Sequence, residues 1–440
     1  MLDIPAELLI MISIHLGHQD LRALTVASRS ICRSLLLEYL RRRGLVLKDA
    51  CARGLSVELN DLAGYASLGF WTAVHIFQPP EEMYCSIPCG TQEAQSAIRF
   101  LLRFLLEPSN TYKLRDFHFS LHGSDPLLLT SELIKVQQSF YTLPLTRLCF
   151  SGHISADYLP SSIALRSRRS CASHSLMSFT ISSDLAFTPG LVQTTLSILR
   201  HSPLKSLAIY WVSLKPSQWS ILLGELNMTS LEDIELEGDI PQPTLIRFLT
   251  KNKALRNIRI RCKALSDRTQ PNRRSRCQAF LPNLLTLDAP LAVCCDIVGR
   301  IANSSSLYRL EVGISRLHPQ QSSFHHLLET LRHFQKLDHL GLRIVQSSSL
   351  ATSQASPNGH DWDRCPAREL RQIRTLSFFQ GRSRLSPGDV VRSLFLSSCL
   401  DLTRRTGDGM RLCTIISYGG GAASGGRGRR VRNATPRFSV

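Results

Sequence analysis

The segments LKSLAI (residues 204–209), LEDIEL (231–236) and LRNIRI (255–260) share one pattern, Leu-x-x-Leu-x-Leu or a close variant of it. Apolar and polar positions alternate at the end of each segment, which is the two-residue period of a half-buried β-strand. Ten such clusters predict a series of short strands, each with an apolar and a polar face. Their apolar positions are Leu114/Phe117/Phe119, Leu145/Leu148/Phe150, Leu176/Phe179/Ile181, Leu204/Leu207/Ile209, Leu231/Ile234/Leu236, Leu255/Ile258/Ile260, Leu284/Leu287/Ala289, Leu307/Leu310/Val312, Leu337/Leu340/Leu342 and Ile373/Leu376/Phe378.

Helical spacing occupies several of the intervals between these clusters, at residues 92–106, 193–200, 218–226, 243–251, 291–302 and 324–334. A strand followed by a helix, repeated, predicts right-handed crossovers and a parallel sheet. The cluster starts run from 114 to 373 in nine steps, so the period averages about 29 residues. The array resembles the leucine-rich repeats, whose period is roughly 20–29 residues. The Asn of their usual consensus is mostly missing, and an ordinary α/β domain is the alternative.

The N-terminal segment has a helical period instead. Leu8, Ile12 and Leu16 lie one above the other at i, i+4 and i+8, and Pro5 suits a first helical turn. Asp20 can cap a second helix. The apolar stretch at residues 31–40 predicts a third helix, so we expect three short helices before the repeats begin.

This segment resembles the F-box. IPAELL at residues 4–9 is followed in register by Ile12, Leu16, DL at 20–21, Leu24 and SR at 28–29, as in LPxELLxxIxxxLxxxDLxxLxxVSR. Ala27 and Ile31 depart from that pattern, where Val and an aromatic residue are usual, but both remain apolar. An ordinary amphipathic helical hairpin is the alternative.

The resemblance implies a function. F-box proteins dock on the Skp-type adaptor, and through it on the cullin, of a ubiquitin ligase, while their C-terminal domain captures a target protein. The chain is then a substrate receptor and not an enzyme, and it needs no cofactor and no metal. The alternative is a leucine-rich-repeat scaffold without a ubiquitin role. The adaptor-binding residues that the resemblance implies are Ile4, Pro5, Leu8, Ile12, Leu16, Leu21 and Leu24.

Charged residues occupy the polar face of the predicted sheet. Asp233, Glu235 and Glu237 alternate with apolar residues, and Arg259 and Arg261 take the equivalent positions on the next strand. The pattern fits either cross-strand ion pairs on a solvated surface or a patch that selects a partner. The candidate target-binding residues are His118, Tyr210, Asp233, Glu235, Glu237, Arg259, Arg261, Arg309, His339 and Arg343.

The formal charge of +18 is concentrated at the C-terminal end. Residues 364–440 hold fifteen Arg against four acidic residues, a net charge of +11, which leaves +7 for the preceding 363 residues. The final stretch is rich in Gly and Arg, which predicts a disordered tail with at most weak, non-specific binding to nucleic acid. A protein whose main function is nucleic-acid binding needs that binding in residues 1–363, where the charge is modest.

Sequence motifs of several enzyme classes are absent from the chain. The chain has no phosphate-binding GxxxxGK[ST] loop, no HExxH and no GxSxG. Its thirteen Cys include no CxxC pair, so reduced thiols are expected. No apolar run is long enough to span a membrane, and we expect a soluble intracellular protein of the cytoplasm, the nucleus or both.

The fold class that we predict is therefore mixed, α+β and α/β. A three-helix F-box precedes an irregular leucine-rich-repeat-like β/α solenoid, which ends in a disordered basic tail. The expected divisions are an F-box helical motif at 1–47, a helical linker with the first solenoid helix at 48–113, the solenoid at 114–380 and the basic, partly disordered tail at 381–440.

Overall fold

The structure is a computed structural model that describes most of the chain up to residue 344 and two short stretches beyond it. The described ranges are 5–27, 45–50, 54–74, 79–88, 90–122, 129–153, 175–261, 280–301, 306–314, 321–344, 375–380 and 411–415, with the single residues Ile31, Leu35, Glu38, Tyr39, Arg42 and Ile373. The arginine-rich stretches at 166–170 and 268–276, where the sequence predicts loops inserted between repeats, lie outside these ranges.

A single fourteen-stranded sheet runs through the described residues, with its strands in the order of the chain. β1 and β2 pair antiparallel, and from β2 onwards every neighbouring pair is parallel. The strands are β1 Leu45–Ala50, β2 Gly54–Leu59, β3 Glu82–Ile87, β4 Asp116–His122, β5 Arg147–His153, β6 Ser178–Ser182, β7 Ser206–Ile209, β8 Asp233–Glu237, β9 Asn257–Arg261, β10 Thr286–Pro290, β11 Arg309–Ile314, β12 His339–Ile344, β13 Thr375–Gln380 and β14 Arg411–Ile415.

Helices occupy many of the connections between these strands. The first two precede the sheet, and a four-residue 3-10 helix, Asp184–Phe187, follows β6. The α-helices are α1 Ala6–Ile14, α2 His18–Ala27, α3 Leu62–Val74, α4 Thr91–Leu105, α5 Pro108–Thr111, α6 Thr130–Ser139, α7 Val192–His201, α8 Pro216–Glu225, α9 Gln242–Lys251, α10 Leu291–Val298 and α11 Gln321–Leu331.

The apolar positions of the predicted clusters form one continuous core. In register across the sheet, Leu207 pairs with Ile234, Ile234 with Ile258, and Ile258 with Leu287. All four side chains are buried among helices that alternate with the strands. Burial of each is worth about 1.5–3 kcal/mol. An α/β, solenoid-like arrangement with strands at all ten clusters is therefore confirmed.

The helices bury the face that their spacing predicts. In α4, Ala94, Ile98, Leu101 and Leu105 recur at intervals of three and four residues and are buried together. The six helices expected from spacing are present, with ends shifted by up to four residues. Helix α6, between β4 and β5, was not predicted.

One buried asparagine joins two neighbouring repeats. Asn252 follows α9 and is fully buried. Its amide nitrogen donates to the carbonyl oxygen of Phe248 at 2.7 Å, and its oxygen accepts from the backbone N–H of Met228 at 2.8 Å. This pair of bonds ties the end of α9 to the loop before β8, so one repeat is fastened to the next.

The sheet extends beyond the expected solenoid at both ends. Residues 48–113 were expected to be a helical linker with the first solenoid helix, yet they contain β2, β3 and half of β1, as well as α3 and α4. Within the region expected to be a basic tail, β14 pairs with β13. The solenoid limits of 114 and 380 are therefore too narrow, because these strands lack the complete cluster pattern. Asp20 lies inside α2, which begins at His18, so its predicted capping role is also wrong.

No helix among the described residues is both long enough and apolar enough to cross a membrane.

Candidate functional site

Helix α1 exposes apolar side chains over much of its surface. Leu8 is 50 % exposed, Ile10 44 %, Met11 61 %, Ile12 46 % and Ile14 62 %. Five large apolar side chains on a nine-residue helix form a patch of the kind that marks an interaction site. We call these five side chains the α1 surface.

The opposite side of α1 packs against the other N-terminal helices. Leu9 and Ser13 are buried, and so is Leu21 of α2. Leu35 and Tyr39, in the predicted third helix, are helical and buried as well. The three helical segments therefore pack together and leave the α1 surface outside.

An arginine links the third segment to the end of α1. Arg42 forms an ion pair with Glu38 at 2.8 Å and donates from Nη1 to the carbonyl oxygen of Leu16 at 3.3 Å. Leu16 lies two residues after the end of α1, so this bond ties the third segment to the turn between α1 and α2.

The structure divides the candidate adaptor-binding residues into two groups, which sequence alone did not separate. Pro5, Leu8 and Ile12 are exposed. Leu16 and Leu24 are half-buried against the core and Leu21 is fully buried, so these three hold the unit together. Ile4 lies outside the described residues.

Sequence reasoning missed Ile10, Met11 and Ile14, which are exposed, and Leu9, which faces inward. Helix α1 is apolar on almost every side, so its spacing cannot show which face is free. The sequence signal was that α1 has more apolar residues than a single buried face of a helix requires.

The second candidate surface is the polar face of the sheet, formed by the outward positions of the strands. The register places Asp233 beside Asn257 and Glu235 beside Arg259, as the alternation predicted. The amide nitrogen of Asn257 donates to Asp233, and Thr286 donates to the amide oxygen of Asn257 at 2.6 Å. Thr286, Asn257 and Asp233 thus form a series of hydrogen bonds that ends at the carboxylate of Asp233.

Ion pairs neutralise much of this face. Glu235 contacts Arg259 and Arg261, each at 3.4 Å. Arg309 pairs with Glu311 on its own strand. The predicted cross-strand pairing is therefore present for Arg259, whereas Arg261 bonds diagonally to Glu235.

Asp288 is the most buried carboxylate of this network, and sequence reasoning missed it. Its side chain contacts Arg343 at 2.6 Å and Arg259 at 3.4 Å. Burial raises the pKa of Asp288, although Arg343 and Arg259 act in the opposite direction. Alternation around Leu287 was the signal that places Asp288 on the polar face.

A depression of about 400 Å³ lies over the middle of the polar face. Charged side chains line it in opposite pairs, next to small polar residues of β7 and β10. The lining residues that carry charge are Asp233, Glu235, Arg259, Asp288, Arg309 and Glu311. Arg261 and Arg343 also contact two of these carboxylates, Glu235 and Asp288, so the four carboxylates are matched by four guanidinium groups and little net charge remains at the depression.

The two candidate histidines lie on β4 and β12, whereas Tyr210 directly follows β7 and Glu237 ends β8. His118 stacks on Tyr84, with ring centroids 4.3 Å apart, and burial lowers the pKa of His118. His339 is half-buried near Arg309, and its pKa is also lowered, chiefly by burial. Both imidazoles are therefore mainly neutral near pH 7.

Cys85, Cys149, Cys294 and Cys295 are free thiols, and burial weakens them as nucleophiles. It raises the pKa of Cys149 to about 11 and that of Cys295 to about 12. In the part of the chain that the structure describes, no group of three or more His, Cys, Asp or Glu side chains is placed to hold a metal ion.

Comparison with models of known protein families gives no match for this chain, and comparison with curated protein sequences gives none either.

Proposed function

We propose that this chain is the substrate-recognition subunit of a Skp–cullin–F-box ubiquitin ligase. The N-terminal helices bind the adaptor and the sheet captures the target protein. The observation that carries the proposal is the α1 surface, because its free apolar side chains include motif positions of the F-box resemblance, Leu8 and Ile12. Pro5, which precedes α1, is exposed beside them.

Helix α1 fits the helix-in-groove mode of recognition. A partner groove that covers Leu8, Met11 and Ile12 removes apolar side chains from water at about 1–3 kcal/mol each. The packing of Leu9, Ser13 and Leu21 fixes the orientation of α1 before binding. A pre-oriented surface loses less side-chain and backbone freedom on association than a flexible one does.

The polar face supports the second half of the proposal. It extends across many strands and is held by ion pairs within the fold, such as that between Asp288 and Arg343. A rigid, polar surface of this extent is suited to binding a protein.

The proposal is tested by a pull-down with a purified Skp-type adaptor and the full chain carrying Leu8→Ala and Ile12→Ala. Both side chains are about half exposed, so the fold should remain intact. Loss of two anchors should weaken binding by about 2–6 kcal/mol, which is about 30-fold or more. Helix content is measured by circular dichroism on the same samples.

Leu106→Ala is the matched control, because Leu106 is also apolar and 67 % exposed but lies after α4, away from the N-terminal helices. The control should bind the adaptor like the unchanged chain. Adaptor binding that survives the double substitution, or that is never observed, contradicts the proposal and favours a leucine-rich-repeat scaffold without a ubiquitin role.

A further inference from the structure

Trp211, the second residue after β7, is an exposed aromatic residue that the fold holds in place. Its side chain is 72 % exposed and its φ is +56°, which is unusual for a bulky residue. The backbone N–H groups on either side are anchored to the interior. Tyr210 donates to the carbonyl oxygen of Ile181 at 3.0 Å, and Ser213 donates to the buried carboxylate of Asp184 at 2.6 Å.

Tyr210 packs beside this indole. The two ring centroids are 5.1 Å apart and the ring planes are nearly perpendicular, at 88°. Burial raises the pKa of Tyr210, so its phenol is neutral at physiological pH. The pair is thus an uncharged aromatic surface that needs no rearrangement to meet a partner.

A carboxylate lies on the neighbouring strand. β7 and β8 pair up to Ile209 and Leu236, and the next residues along them are Tyr210 and Glu237. Within the described residues, Glu237 takes part in no ion pair. Arg261, its neighbour in register on β9, contacts Glu235 instead, at 3.4 Å.

We propose that Tyr210, Trp211 and Glu237 form a docking point for a segment of the captured protein that carries a lysine or arginine. An aromatic face attracts a cation through its quadrupole, and a nearby carboxylate adds direct charge complementarity. Trp and Tyr are also the residues most often found at the energetic centres of protein interfaces. The proposal rests on the proposed function, since it concerns the protein that the chain captures.

The test uses a displayed library of random dodecapeptides, with the full chain as bait and no adaptor present. Peptides selected by the unchanged chain should be enriched in lysine or arginine relative to the library. If lysine predominates, the docking point prefers an ammonium group, and if arginine predominates, it prefers a guanidinium group. Affinities of individual selected peptides are then measured against variants of the chain.

Trp211→Ala should weaken the selected peptides about tenfold, and Glu237→Gln about threefold, because Gln keeps the shape and removes the charge. Two controls should leave affinity unchanged. Tyr308→Ala removes another exposed aromatic side chain, and Glu93→Gln neutralises an exposed carboxylate on α4.

The proposal is overturned if no peptide is selected, if the selected peptides lack a cationic residue, or if Trp211→Ala binds them like the unchanged chain. Adaptor binding by the Trp211 variant should be normal, because α1 is untouched. A failure at the polar face is thereby distinguished from a failure of the adaptor assignment.

Discussion

Replacing Gly152 by alanine should destabilise the solenoid more than most single substitutions. Gly152 lies in β5, pairs in register with Leu121 of β4 and has φ +127°, a backbone conformation that L-residues rarely adopt. A Cβ atom at this position would be 1.9 Å from the carbonyl oxygen and 2.8 Å from the amide nitrogen of Leu121. These are backbone atoms, so no side-chain rotation can relieve the overlap.

The magnitude follows from two contributions. The unfavourable φ costs about 1–2 kcal/mol for a residue with a Cβ. Relief of the overlap requires β4 and β5 to move apart, and each buried backbone group that loses its partner costs about 1–3 kcal/mol. The expected loss is about 3–5 kcal/mol, a large part of the 5–15 kcal/mol that stabilises a typical domain.

Urea unfolding followed by circular dichroism measures this loss. Gly224→Ala is the matched control, because nothing lies within 4 Å of an added Cβ in the last turn of α8. That control should be neutral or stabilised by up to about 1 kcal/mol, since alanine favours helices over glycine. If Gly152→Ala unfolds within about 1 kcal/mol of the unchanged chain, the φ and register described here for β5 are wrong.

Two further predictions concern buried polar groups. Asn252→Ala should lower the free energy of unfolding by about 2–4 kcal/mol in the same urea assay, because the amide N–H of Met228 and the carbonyl of Phe248 lose their partner; an unchanged midpoint would contradict this. Asp288→Asn should remove a pH-dependent contribution to stability. The folded pKa of Asp288 is raised, so this contribution is complete below the ordinary Asp pKa of about 4 and is lost as pH rises through the folded pKa. The free energy of unfolding is measured for both proteins across acidic pH. As pH falls, the unchanged chain should gain stability relative to Asp288→Asn. If the two curves of unfolding free energy against pH are parallel, Asp288 is not desolvated.

The repeats could be predicted from the sequence because their period is local. In LEDIEL, alternation alone identifies Ile234 and Leu236 as buried and Glu235 as outward, and the structure agrees. Strand β2, Gly54–Leu59, was missed although Leu55, Val57 and Leu59 alternate with polar residues, because the segment lacks the leading Leu-x-x of the ten clusters. Pairing with β3 makes this segment a strand, and that pairing is not local.

The candidate sites were predicted less completely than the fold, for physical reasons. The orientation of α1 depends on which of its sides the other N-terminal helices cover. Because α1 is apolar on almost every side, its sequence does not show which side is covered. Arg259 was predicted to pair across the sheet, and Asp288 is its register neighbour on β10. The contact of Arg343 with Asp288 instead depends on a side chain that reaches across β11, which strand alternation does not reveal. The exposure of Trp211 could not be inferred at all, because a lone Trp after a strand is more often part of a core.

On the proposed function, the charges of the polar face also limit how a target is selected. Arg259, Arg261 and Arg343 are held by carboxylates of the same sheet, so little net field extends into solvent to steer a charged partner over long distances. Paired groups of this kind fix the shape of the surface, and a partner gains affinity only where it does not have to break them. Glu237 has no such partner among the described residues, and Trp211 beside β7 has most of its side chain in water. Binding energy should therefore be concentrated at Trp211 and Glu237. The affinity should fall only slightly as salt is added, because a single local ion pair is screened.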